Sequence, residues 1–61
     1  MENTILWYTN KIITGILSNV QMRNCTELEG LGEVWELNNI IEKGDLEEIK
    51  ELFNRVYPKG L

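Results

Sequence analysis

Apolar and polar positions alternate along the chain with helical rather than strand periodicity. Stepping about 100° per residue from Ile5 places Ile5, Leu6, Ile12, Ile13, Ile16, Leu17 and Val20 in an arc about 140° wide. Only Thr9 interrupts this stripe, and Asn10, Lys11, Thr14, Ser18 and Gln21 lie opposite it. A period of two instead mixes Lys11 with Ile13 and Asn10 with Ile12. The pattern therefore predicts a helix over about residues 4–22, with Asn3 as its N-cap. Gly15 falls inside it, a weak helix former that marks either a bend or a place where another helix comes close.

The chain then breaks at Asn24-Cys25-Thr26. Thr26-x-x-Glu29 has the form of a capping box, which starts a helix. Gly30-Leu31-Gly32 follows at once, so the second helix is expected over 33–43, with 27 as the alternative start. Leu28, Leu31, Val34, Leu37 and Ile41 nevertheless keep spacings of three and four. Lys43-Gly44-Asp45 is firm punctuation: Gly44 suits a left-handed C-terminal position, and Asp45 caps the next helix. Leu46, Ile49, Leu52, Phe53, Val56 and Tyr57 share one face of that third helix, over 46–57. Pro58 bars Tyr57 from helical geometry and ends it. Asn39–Phe53 loosely resembles the helix–Gly–helix unit of ankyrin-type solenoids, but it occurs once and lacks the Thr-Pro-Leu-His turn.

The prediction is one all-α domain over 1–61: three helices, the long amphipathic first packed on a C-terminal αα-hairpin. Ile5, Ile12, Ile16, Leu37, Ile41, Leu46, Ile49 and Phe53 are the expected core. The first helix is expected to be longer than either hairpin arm, so that part of its stripe overhangs. With 61 residues, a chain buries only about 60% of its unfolded surface. Folds this small usually gain stability from disulfides, a metal or another chain. A single cysteine excludes an internal disulfide, and the chain has no histidine. Oligomerisation remains, most simply as an isologous homodimer.

Charge sharpens the functional expectation. Residues 1–26 carry +1, whereas residues 27–57 carry nine acids against three bases; Lys59 brings the total to −4. The glutamates either solvate the outer faces of the second and third helices or dock on a basic partner. A helix-turn-helix role is disfavoured, because the would-be recognition helix from Asp45 to Tyr57 holds four acids and two bases and would be repelled by phosphates. Glu33, Glu36 and Glu42, or Glu47, Glu48 and Glu51, lack the pocket that acid–base catalysis needs and the oxygen cage that a metal needs. No enzyme activity, cofactor or metal is expected. Cys25 is read as a structural thiol; a second helix starting at Thr26, together with Arg23, would instead lower its pKa, and an intermolecular disulfide would need an oxidising compartment.

Two tryptophans stand off the main stripes. Trp7 lies on the flank opposite the first stripe, Tyr8 at its edge, and Trp35 about 100° from Val34. Such rings anchor protein interfaces, so Trp7, Tyr8 and Trp35 are the candidate partner-binding residues; the alternative is that a broad small core reaches them. The outer face of the first helix carries only Lys11 as a charge, which suits burial against another protein or a second copy. A membrane-surface role is disfavoured by the missing basic face, and no segment reads as a targeting or spanning sequence. The expectation is a small, cytoplasmic, non-enzymatic protein–protein interaction module acting as regulator, inhibitor or adaptor. A purely structural homo-oligomer subunit is the alternative, and a DNA-binding regulator is less favoured. The absence of alanine and the abundance of Ile and Asn hint at an AT-rich source such as a phage or other mobile element.

Overall fold

The computed structural model describes residues 4–60. Three helices account for most of them: α1 Thr4–Gln21, α2 Glu27–Lys43 and α3 Leu46–Val56, with no strand among the described residues. The expected cap Asn3 lies outside the described residues. The molecule measures 34 × 22 × 14 Å. Its short dimension has room for two layers of helix and no more.

Each boundary has a local cause. Arg23, in the left-handed region at φ 63°, turns the chain after α1, and the amide of Asn24 donates back to the Asn19 carbonyl at 2.8 Å. Thr26 opens α2 through a complete capping box. Its hydroxyl accepts from the Glu29 amide at 3.1 Å, and its own amide donates to the Glu29 carboxylate at 2.8 Å. This reciprocal pair starts α2 at Glu27 and carries Gly30 and Gly32 within the helix, the earlier of the two expected starts. Gly44, at φ 70°, closes α2, and its amide donates to the carbonyls of Ile40 and Ile41. The Asp45 carboxylate then accepts from the Glu48 amide at 3.2 Å to start α3.

The core lies where the three helices meet. Ile12 and Ile16 of α1, Leu37 and Ile40 of α2, and Ile49, Leu52 and Val56 of α3 are buried. Ile5, Leu46 and Phe53, expected inside, are half-buried against this cluster. Ile41 is a correction: it is 39% exposed, and its neighbour Ile40 takes the core position. Leu28, Leu31 and Val34, in the same series of three- and four-residue spacings, are exposed as well.

The cause is a close helix contact at Gly30. A Cβ there would stand 2.7 Å from Val20 Cγ2, so the bare glycine lets α1 approach. That contact turns Gly30, Leu37 and Ile40 inward and leaves the Leu28–Leu31 side facing out. Gly15 does the same between α1 and α3: its missing Cβ makes room for Val56 and the ring of Tyr57. The Tyr57 hydroxyl donates to the Lys11 carbonyl at 2.5 Å, and the Asn19 side-chain amide donates to the Val56 carbonyl at 3.2 Å. Of the two roles foreseen for Gly15, close approach is the one observed.

The first helix is the longest, as expected, but only narrowly: because α2 includes the glycine stretch, it has 17 residues against 18 in α1, while α3 has 11. Exposed Ile13 and Leu17 put apolar surface along the side of α1 and not only at an end.

Candidate interaction surface

α1 and α2 run antiparallel across the five-residue connection 22–26. On α1, Gly15 faces α3 while Ile16 and Val20 face Gly30 of α2. On α2, the Glu36 carboxylate pairs with Arg55 of α3, so the Glu36 side looks toward α3. α3 thus covers one side of the α1–α2 pair, and among the described residues no third helix lies on the opposite side.

That opposite side is apolar. Continuing around α1 past Ile16 and Val20 brings Ile13 and Leu17, the latter 63% exposed. Continuing around α2 past Gly30 brings Val34, Leu31, Trp35 and Leu28. Trp35 is 65% exposed and Leu28 78%. Leu31, Val34, Trp35 and Asn38 line a shallow groove of about 230 Å³. Asn38 makes no side-chain hydrogen bond among the described residues. From Leu28 to Ile41 this stripe contains no ionisable residue; Glu27 and Glu42 stand just beyond its two ends. Monomeric proteins rarely leave an apolar patch of this extent on water without using it.

The three aromatic candidates do not share a surface. Trp7 and Tyr8 lie along the α1–α3 seam, their rings 5.1 Å apart and edge to face. Both meet Phe53 of α3, at 5.9 and 5.2 Å, and Phe53 in turn stacks obliquely on Tyr57 at 5.0 Å. Lys11 places its ammonium 5.7 Å from the Trp7 ring centre, a cation–π contact. These rings weld α3 to α1. Trp35 makes no ring contact among the described residues and sits on the open face of α2. The sequence singles out Trp35 but places its neighbours Leu28, Leu31 and Val34 only in one series of three- and four-residue spacings with Leu37 and Ile41. The signal that separates them is Gly30: inside a capped helix it marks the contact side, and Leu28 and Leu31 lie about 100° or more around the helix from it.

Elsewhere the polar chemistry is sparse. Cys25 borders clefts at the α1–α2 turn, next to Arg23 and Asn24. Its thiol pKa is raised by desolvation, then by the Glu33 and Glu29 carboxylates. The expected lowering by Arg23 and the α2 N-terminus is therefore reversed in direction. Glu33 carries a buried carboxylate oxygen with no hydrogen-bond partner. Desolvation raises its pKa; Arg55 opposes the shift, while Glu36 and Glu29 add to it. No group of three metal-ligating side chains gathers among the described residues. Among the described residues no helix is long and apolar enough to cross a membrane. No family model, curated protein or solved structure matches the chain.

Proposed function

We propose that the protein is a small non-enzymatic interaction module whose working surface is the outer side of the α1–α2 pair. The observation that supports this is the uncharged stripe from Leu28 to Ile41, flanked by Ile13 and Leu17 and left uncovered by α3. Apolar side chains at exposed helix positions contribute nothing while they face water. Covered, each large one contributes roughly 1.5–3 kcal/mol. Trp35 at the middle of the stripe supplies the large, stiff ring that commonly anchors such contacts. Regulation, inhibition and assembly are roles that a surface of this kind serves by occupying a macromolecule. The cytoplasm is the proposed site of action, where a lone thiol stays reduced.

A photo-crosslinking residue placed at Trp35 in expressing cells tests the proposal, with the same residue at Glu51 on exposed α3 as control. Position 35 is expected to give a discrete covalent adduct and position 51 none. Absence of any adduct from position 35 would overturn the proposal.

A further inference from the structure

We infer that the occupant of the α1–α2 face is a second copy of this chain, seated across a two-fold axis with α2 antiparallel to its counterpart. The inference rests on the interaction reading above and names its partner. Three observations carry it.

The first is the symmetry of the stripe. Leu28 and Ile41, Leu31 and Asn38, and Val34 and Trp35 are pairs equidistant from the same midpoint in α2. Two such helices laid antiparallel therefore meet stripe to stripe along their whole length, as an isologous contact requires. Asn38 then falls opposite Leu31 rather than opposite another Asn.

The second is charge. A chain of net −4 repels its own copy wherever acids face each other. Here the acids of α2 and α3 lie outside the stripe. Glu27 and Glu42, also equidistant from the midpoint, would approach only at the two ends, where solvent screens them.

The third is area. Seven side chains (Ile13, Leu17, Leu28, Leu31, Val34, Trp35 and Ile41) remain 39% exposed or more. At on the order of 100 Å² each they approach the ~800 Å² per partner of a standard stable interface. Among the described residues the core of seven buried apolar side chains is small, and pairing would add to the apolar surface withdrawn from water.

Sedimentation equilibrium of the purified chain over two decades of concentration tests the inference. The expected species has twice the 7.1 kDa chain mass. Trp35→Glu and Leu31→Lys are each expected to weaken association at least tenfold while far-UV circular dichroism stays helical, because both positions are exposed and outside the core. Met22→Lys, an exposed apolar residue in the α1–α2 turn, is expected to leave the dimer intact. An equimolar mixture of Trp35→Glu and Trp35→Lys is expected to recover it. A monomer at every concentration overturns the inference, and so does a dimer indifferent to Trp35→Glu and Leu31→Lys, or a charge-swapped mixture that stays monomeric. If the purified chain is monomeric yet position 35 crosslinks to a different protein in cells, self-association fails while the interaction reading stands.

Discussion

Three glycines inside helices behave differently because of what surrounds each missing side chain. In an exposed helix, replacing Gly by Ala stabilises by roughly 0.5–1 kcal/mol. Gly32 has nothing within 4 Å of where its Cβ would be, so Gly32→Ala should gain about that amount. At Gly15 a Cβ would stand 2.6 Å from the Tyr57 ring, with Val56 also in the way. The same substitution there should cost about 1–3 kcal/mol in spite of the better helix propensity. Urea unfolding of the two variants checks both signs, and a stabilised Gly15→Ala would contradict the tight α1–α3 approach.

Glu33 gives a residue-scale prediction in pH. Its pKa is raised in the folded state, first by burial and then by the nearby acids, against the opposing pull of Arg55. The folded chain therefore holds that proton more tightly than the unfolded one. The stability contribution is full below the ordinary value of 4.5 and is lost as pH rises through the window up to the folded pKa. Glu33→Gln removes the ionisation and keeps the shape. Its Tm should exceed that of the parent at pH 7, with the advantage shrinking as pH falls through the folded pKa toward 4.5 and lost below that value. An advantage independent of pH would contradict the desolvated carboxylate.

At the scale of elements, the helix termini were legible because capping is chemistry between near neighbours. Thr26-x-x-Glu29, Gly44 and Asp45 each satisfy backbone groups within a few residues of themselves, and all three stand where the sequence placed them. Thr26→Ala and Asp45→Ala should each cost about 1 kcal/mol, seen as a lower urea midpoint with an unchanged slope. The facing of α2 was less legible, because it is decided by another helix. α2 carries an outer stripe through Leu28, Leu31 and Trp35 and an inner one through Gly30, Leu37 and Ile40. The outer stripe is the more hydrophobic, so amphipathicity alone points the helix the wrong way. The inner one wins because Gly30 admits α1, Ile40 reaches the shared core and Glu36 meets Arg55. α3 carries one unambiguous stripe, and its core positions follow from periodicity. Of the residues on the proposed interaction face, Trp35 was visible as a ring off the main stripes, whereas its apolar neighbours shared one spacing series with Leu37 and Ile41 and so did not stand out.

At the scale of the whole molecule, α3 is a cover for one side of an α1–α2 pair, and the other side has none. The aromatic cluster of Trp7, Tyr8, Phe53 and Tyr57 secures the covered side. The opposite side exposes large apolar side chains and no charge along α2 from Leu28 to Ile41. A 61-residue chain has little stability in reserve, so covering that side should contribute to folding as well as to recognition. Folding coupled to association follows mass action: the melting temperature rises with protein concentration when two chains unfold together. Thermal unfolding of the purified chain, followed by circular dichroism over two decades of concentration, measures this most directly. The account predicts a Tm that climbs steadily with concentration in the parent and stays flat in Trp35→Glu; a parent Tm that does not move with concentration would contradict it.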